Sequence, residues 1–579
     1  MPDDLMANTE QAKSGVRHLW RWGAAVLSGL LLAFSFPPFE SGSVAWVAFI
    51  PLLLALLTKV GDDLRAASVA SMPMTGADRA RRASSTSGLG VSLNLSGFSL
   101  GFTTGLVFWL VSMSWMLRLF ETSPAPAILI LVGWVLLSAY CALYFGAFAM
   151  TVVWVAGKLG TEKLWKTMLL TVLIPVLWAG GEMARSVWLT GFPWNLLGVS
   201  QYRNLVLIQC AQWVGVSGIS ALVMLANTGL TFTVMRHLPG AGKKYRPHLE
   251  LFMVLMTIAL CFRAGMSLVR QYTPPEGGVS IVAVQPAIPQ IKKWSQEQID
   301  MVHSTFRRLT GQALREGATR PDLVIWPETA TPYCVTEPGE SKELVSELSR
   351  QGVPLLVGSM DVINLGEQSL CYNGSFLFQT NGVMVKGYNK QHLVPFGEYI
   401  PLSGLIPALA ALAPMGWNCT PGREATVFTV GDPAWTFSAL ICFEDIMSDL
   451  SRAFVKAGAR LLVNQTNDAW FDRSAGPVQH LSHCVFRCVE NRVPAVRVAN
   501  SGITCLIEPT GRIVEPTRNE WGHPPESLVA RWDLSVPGDE YEATPYTRYG
   551  DWLFGIPCLI ITGGCFIFVL ISLRRRKQP

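Results

Sequence analysis

Three side chains of complementary chemistry stand at the ends of short apolar runs in the second half of this sequence. LVIWPETA brings the chain to Glu328, MVKGYNKQHL to Lys390 and SALICFED to Cys442. A short apolar run bounded by polar residues has the pattern of a buried strand, and the first residues past such strands are where α/β domains place reactive groups. A thiol, an ammonium and a carboxylate gathered there make a complete nucleophilic site. The ammonium lowers a thiol pKa that is ordinarily about 8.5, and Glu328 serves as the base. Lys390 and the backbone N–H of Phe443 stabilise the oxyanion of an acyl-transfer intermediate. Each residue alone has a plainer reading, a core cysteine or a charge on a solvated face. The repetition of strand followed by reactive residue favours catalysis, and His392 offers a Cys–His dyad as an alternative base.

Positioning such groups requires a sheet, and the polar segment from about residue 271 to 550 alternates strand and helix patterns. Strands are expected at 279–284, 322–326, 354–358, 375–379, 383–387, 436–441, 460–464, 495–499, 504–508 and 527–532. Helices are expected at 296–315, 342–351, 449–457 and 477–491. Thr380-Asn381-Gly382 and Pro509-Thr510-Gly511 read as hairpin turns between paired strands. The mixture implies a layered α/β domain.

The rest of the chain is apolar. Of 579 residues 50% are hydrophobic and 15% charged, with a mean hydropathy of +0.32, which places the protein among membrane proteins. The net charge of +5 is modest and its basic residues form short clusters beside apolar runs, so nucleic acid is excluded as a partner. The 20 tryptophans suit membrane interfaces. Apolar runs at about 22–36, 44–57, 97–119, 126–157, 167–187, 205–235, 249–269 and 552–573 predict eight transmembrane helices. No small-residue cleavage site follows the first run, so it reads as an uncleaved helix.

Basic residues orient the bundle. Lys59, Arg65, Arg79, Arg81, Arg82, Lys158, Lys163, Lys166, Arg236, Lys243, Lys244, Arg246 and Arg574 to Lys577 fall in alternate loops and the tail. The opposite loops hold few, Arg203 being the clearest. The positive-inside rule then puts both termini in the cytoplasm and the 271–550 domain on the outer face. The expected division is a seven-helix membrane domain at 1–270 with a cytoplasmic insertion at about 60–96, the outer domain at 271–550, and an eighth helix with a basic tail at 551–579. The loop Thr190 to Asn204, with GFPWNLLGVSQ, is expected at the interface beside the outer domain, as an anchor or a substrate contact.

His480, His483, Cys484 and Cys488 lie at helical spacings and form a rival zinc cluster. Packing of their helix against the sheet is the plainer reading, and no metal or cofactor is expected. Seven cysteines fall in the outer domain, an odd number that leaves at least one thiol unpaired within one chain.

WPETA, YNKQHLVPFGEYIP and ICFED, in this order and spacing, resemble the Glu-Lys-Cys motifs of the nitrilase superfamily. VQPAIPQIKKW, NDAWFDRSAGPVQH, SGIT and GFPWNLLGVSQ are further similar to the apolipoprotein N-acyltransferase family, as is the arrangement of seven helices, a soluble domain and a last helix. The resemblance implies a polytopic α-helical membrane domain plus an α/β nitrilase-like domain, a four-layer α-β-β-α sandwich. It implies Glu328, Lys390 and Cys442 as the catalytic triad of a ping-pong acyltransferase in the bacterial cytoplasmic (inner) membrane, with its catalytic domain on the periplasmic face. A phospholipid, typically phosphatidylethanolamine, would acylate Cys442, and the amine of an S-diacylglyceryl-cysteine on an apolipoprotein would take the chain.

By the same resemblance Glu398, Glu444 and Phe443 support the triad, and Trp294, Asn373 and Trp470 lie near the pocket. Pro401 to Trp417 is a candidate lid, or a buried helix and loop. The sequence departs from the family in Phe443 for Tyr, Asp472 for Gly, and the lack of an Arg near Pro407. Two rival classes stay open: a membrane-tethered amidase, which would leave eight helices with little to do, and a transporter or scaffold. The latter calls for polar residues in the spans, where Glu182, Arg185 and Arg263 are the main ones.

Overall fold

The computed structural model describes residues 19–58, 60, 95–123, 125–238, 248–274, 278–289, 296–317, 319–366, 368–401, 403, 418–471, 473–514, 527–538 and 540–575. Trp294, Asp472, Pro407, most of the Pro401 to Trp417 stretch and nearly all of the 60–96 insertion lie outside them.

Eight apolar helices occupy the places of the expected spans. They are α1 (Leu19–Phe34), α2 (Gly42–Thr58), α3 (Leu95–Ser112), α4 (Ala127–Leu159), α5 (Leu164–Val187), α6 (Ala211–His237), α7 (Leu249–Gln271) and α12 (Gly555–Arg575). Six of them, α3 to α7 and α12, are long and apolar enough to cross a membrane, whereas α1 and α2 are shorter. The expected run at 205–235 is not one helix. Leu205–Ile208 forms a separate short helix, and α6 is itself kinked at Gly215, whose φ of 62° is accessible to glycine. Helix α6 is the hub, packed against α5, α7 and the outer domain. Exposed Ile128, Leu129, Leu131 and Leu136 on α4, and Phe252, Leu255 and Leu260 on α7, suit a lipid surround.

The outer domain contains two six-stranded sheets. The first runs β12 (Leu528–Leu534), β1 (Val279–Gln285), β2 (Leu323–Ile325), β3 (Leu355–Leu365), β4 (Gln368–Phe378), β5 (Met384–Asn389). The second runs β11 (Ile513–Val514), β10 (Cys505–Ile507), β9 (Ala495–Ala499), β8 (Leu462–Thr466), β7 (Trp435–Ile441), β6 (Phe428–Val430). In each sheet the three central strands pair in parallel: β1, β2 and β3 in one, β7, β8 and β9 in the other. All flanking pairs are antiparallel. The two sheets therefore repeat one plan. Helices α8 (Ile299–Arg315) and α9 (Glu340–Ser349) make the crossovers of the first, and α10 (Ser448–Lys456) and α11 (Gly476–Asn491) those of the second. Both expected hairpin turns are present, with Gly382 and Gly511 at positive φ.

Period-two alternation explains the layering. Val282, Val284, Val324, Trp326, Leu355 and Val357 pack under α8 and α9 with Val302, Phe306, Leu344 and Leu348. Their neighbours Ile281, Ala283, Leu323, Ile325 and Leu356 face the second sheet and join Phe437, Ala439 and Ile441 in another core. A strand buried on both faces sends successive side chains to opposite layers, which produces the α-β-β-α order. The second core does not end at the domain boundary. It continues through Leu481, Val485 and Val489 of α11 into Trp194, Leu196, Ile208 and Val216 of the membrane half.

Candidate active site

Glu328 lies three residues beyond β2, and Lys390 and Cys442 directly follow β5 and β7. Strand β5 is antiparallel to β4 and β4 to β3, so β5 runs in the sense of β1 to β3. Glu328 and Lys390 consequently emerge at the same end of the first sheet. Polar bonds tie the second sheet to it: Gln465 Nε2 donates to Trp326 O at 2.6 Å, and Thr504 Oγ1 to Gln285 Oε1 at 2.6 Å. Gly358 on β3 allows the Glu328 loop to cross closely, since a Cβ there would sit 2.2 Å from Pro327 O.

Cys442 occupies a sharp turn. Strand β7 ends at Ile441, the chain passes into a 3₁₀ turn from Cys442, and Cys442 itself has φ 53°, a strained left-handed conformation for a side chain of this kind. Its carbonyl is held by Asn464 Nδ2 at 3.0 Å and His480 Nε2 at 3.2 Å. Glu444 fastens the turn to the Lys390 segment. Its carboxylate accepts from Ile441 N at 2.7 Å on one oxygen, and from Tyr388 Oη at 2.8 Å, Gln391 N at 2.7 Å and His392 N at 3.1 Å on the other. Tyr388, Gln391 and His392, on either side of Lys390, are thus pinned to the Cys442 turn.

Lys390 is 1% exposed, and a buried cation must be paired. Its Nζ lies 2.9 Å from Glu398 and 3.7 Å from Glu328 Oε1. Burial pulls its pKa down, but Glu398 and then Glu328 outweigh burial and hold it above the ordinary lysine value. The ammonium persists. Asn373 Nδ2, on β4, donates to Glu328 Oε1 at 2.8 Å and to Glu398 Oε1 at 3.0 Å.

The thiol differs from the sequence-based expectation. Burial drives Cys442 above its usual pKa, Glu328 adds to this, and the Lys390 ammonium offsets them only in part. Some of the residue's surface is open while its surroundings are dense. Burial thus favours the neutral thiol over the thiolate. His392 is held below its ordinary pKa by burial and by Lys390; its backbone N–H binds Glu444 and its ring stacks on Phe443, centroids 5.8 Å apart.

Sequence reasoning missed a charged network behind Cys442. Arg497, wholly buried on β9, donates to Asp445 at 2.7 Å and Asp468 at 2.8 Å. His480 stands between the same carboxylates, at 2.7 Å from Asp445 and 3.2 Å from Asp468. Burial is the largest influence on His480 and opposes its charge, as does Arg497, but the charge and hydrogen bond of Asp445 together with the Asp468 bond outweigh them and raise the pKa. An arginine inside the apolar strand AVRVA was the available signal. The proposed zinc helix has other partners: His480 has this pair, and His483 Nε2 accepts Asn195 N at 3.2 Å. Among the described residues no cluster of three or more ligating side chains is placed to hold a metal.

The loop after α5 lies beside the outer domain and is mostly buried, Thr190 and Arg203 being exposed. Pro193 to Gln201 is buried beneath the outer domain. Arg185 Nη1 donates to Phe192 O at 2.6 Å and Trp194 O at 2.8 Å, and the Trp194 ring lies 6.1 Å from Phe443, nearly parallel at 7°. Trp470 docks on the membrane half through its carbonyl, which accepts Thr122 Oγ1 at 3.0 Å.

Comparison with known proteins accords with both halves. Residues 87–229 match the apolipoprotein N-acyltransferase N-terminal domain, and residues 279–530 match carbon-nitrogen hydrolase. An apolipoprotein N-acyltransferase of Geobacter metallireducens is 35% identical over 557 residues, 96% of this chain and 95% of that protein. One from Sinorhizobium medicae is 29% identical over 502 residues, covering 84% and 86%. The crystal structure of Saccharomyces cerevisiae Nit3, a nitrilase superfamily member, aligns with 45% of this chain and 90% of its own, at 18% identity and a TM-score of 0.34. With a relative this similar along nearly its whole length, the chain belongs to the apolipoprotein N-acyltransferase family of the nitrilase superfamily.

Proposed function

We propose that the protein N-acylates bacterial apolipoproteins in two half-reactions through a thioester on Cys442. The observation that carries this reading is the Glu328–Lys390–Glu398 cluster beside Cys442, which sits on the strained turn after β7. In the first half-reaction Glu328 takes the Cys442 proton as sulfur attacks an ester carbonyl of a phospholipid, phosphatidylethanolamine in the simplest case. The Lys390 ammonium and Phe443 N–H stabilise the oxyanion. The C–O bond breaks, the leaving alkoxide takes the proton back from Glu328, and a lysophospholipid departs. In the second, Glu328 takes a proton from the α-amine of S-diacylglyceryl-cysteine as nitrogen attacks the thioester. The C–S bond breaks and the thiolate is reprotonated.

Glu398, Asn373 and Glu444 keep Lys390 and Glu328 in place, and Phe443 and Trp470 border the acyl groups. In this reading the membrane domain is 1–270, the catalytic domain 271–550 faces the periplasm, and 551–579 returns the chain to the cytoplasm of the inner membrane. Lipid substrates near the outer leaflet favour transfer over hydrolysis, because the amine is held at high effective concentration and water is partly excluded. Purified protein, a phospholipid and a diacylglyceryl-cysteinyl peptide should give acylated Cys442 and then N-acyl peptide. Full transfer by Cys442→Ala would overturn the mechanism.

A further inference from the structure

The outer domain meets the membrane half through α11, every described residue of which except Val478 is buried. One side chain on it, Gln479, has all of its polar capacity engaged by the membrane half. Its Nε2 donates to Pro37 O at 2.8 Å and Ser112 O at 3.0 Å. Its Oε1 accepts from Trp194 Nε1 at 2.8 Å and Trp115 Nε1 at 3.1 Å. Two carbonyls and two indole N–H groups admit only one orientation of the amide, because the flipped one would set N–H against N–H and oxygen against oxygen. The partners come from the end of α1, the end of α3 with the turn after it, and the loop after α5, so a single amide fixes three membrane segments against one another.

Gln479 also leads to the nucleophile. Trp194, which it holds, lies parallel to Phe443, and Phe443 N–H is the oxyanion donor next to Cys442. His480, the next residue on α11, reaches the Cys442 carbonyl. Both sides of the strained Cys442 turn therefore depend on where α11 sits on the membrane half.

We infer that Gln479 is a positioning residue: it sets the Trp194 ring against Phe443 and so aims the Cys442–Phe443 peptide at the acyl carbonyl. The membrane half then contributes to the rate of acylation as well as to anchorage. This inference rests on the reading of Cys442 as nucleophile.

The test uses full-length protein in phospholipid nanodiscs, measuring acylation of Cys442 by quenched-flow mass spectrometry, phospholipid KM and thermal midpoint. Trp194→Leu loses both the bond and the ring stack, Trp194→Phe loses the bond and keeps a ring, and Trp115→Phe loses an equivalent bond to the same amide without touching Phe443. Gln479→Leu removes the node. Gln479→Leu and Trp194→Leu are expected to slow acylation by about tenfold or more per folded molecule at unchanged KM, Trp194→Phe by a few-fold, and Trp115→Phe by less than about twofold. Should Gln479→Leu fail to fold, the three tryptophan variants decide. Acylation at the wild-type rate in Trp194→Leu, or equal losses in Trp115→Phe and Trp194→Leu, would overturn the inference. Transfer activity in Cys442→Ala would instead overturn the nucleophile assignment beneath it.

Discussion

Glu328 and Glu398 accept from one and the same nitrogen, Asn373 Nδ2, at 2.8 and 3.0 Å. The Lys390 ammonium, also bonded to Glu398, completes the group. Two buried carboxylates are kept apart and aimed by a neutral donor and a cation. Asn373→Ala should therefore lower kcat by roughly tenfold, the scale of losing a positioning bond, with little change in folding. Asn373→Asp should be worse, since it adds a third carboxylate. Steady-state transfer to a diacylglyceryl peptide measures both, and wild-type kcat in Asn373→Asp would remove the aligning role.

Burial pushes the Cys442 thiol pKa up, so Glu328→Gln should slow thioester formation by about 10²–10⁴-fold, the usual range for a general base. Trapping the acyl-enzyme by intact-mass spectrometry reads this directly. Cys442→Ser should leave no thioester at all. An undiminished burst in Glu328→Gln would transfer the base role elsewhere, with His392 the next candidate.

Glu398 is the largest influence holding the Lys390 pKa up against burial. In Glu398→Gln burial gains weight, so Lys390 loses its proton at lower pH than in the wild type. The alkaline limb of the rate profile should shift to lower pH, while the acidic limb stays where it was. A rate profile with no shift in the alkaline limb would show that Lys390 charge does not govern turnover.

Burial raises Glu444 to about 7, and the bonds it accepts offset this only in part. A carboxyl whose pKa rises on folding takes up a proton on folding. Its contribution to stability is full below the unfolded value of about 4.5 and is lost as pH rises through about 7, on the order of 3 kcal/mol. Glu490 is raised to about 7 by burial as well, so the wild-type slope alone is a sum. The difference between wild type and Glu444→Gln isolates Glu444: the variant's thermal midpoint should fall less steeply between those limits.

Arg497 neutralises Asp445 and Asp468 in a site with no exposed surface. Replacing it with Met leaves two buried carboxylates facing His480 without the arginine charge, which should cost roughly 3–5 kcal/mol. Scanning fluorimetry in detergent should show a large drop in the unfolding midpoint. Asp445→Asn, which leaves Arg497 with Asp468, should cost less.

The three candidate residues could be picked out because each follows a strand whose apolar pattern is local, and periodicity survives any tertiary arrangement. What sequence could not show was how deep each group lies. Lys390 beside Cys442 reads as a reason for a low thiol pKa, yet enclosure of both reverses the outcome. Likewise Gln479, His480, His483, Arg487 and Glu490 give α11 the look of a helix with one wet face or a metal cluster. Gln479, His483 and Glu490 are paired with the membrane half, through Trp194, Asn195 and Val216, residues hundreds of positions earlier, whereas His480 and Arg487 find their partners inside the outer domain. The start of α6 was misjudged because the apolar run begins in the short helix Leu205–Ile208, which breaks off at Gln209 and Cys210 before α6 begins.

The continuous core beneath α11 imposes an order on biosynthesis. Residues near 37, 112, 115 and 194, on which α11 rests, are made hundreds of codons before it. The supporting surface is thus already inserted and gathered when the second sheet emerges, and that sheet closes onto it as a roof is laid on standing walls. A gene fragment for 271–550 alone would produce the roof without the walls, uncovering the row of Gln479, His483 and Glu490, whose partners lie in the membrane half. A soluble version of this enzyme would require redesign of that row before any change to its chemistry.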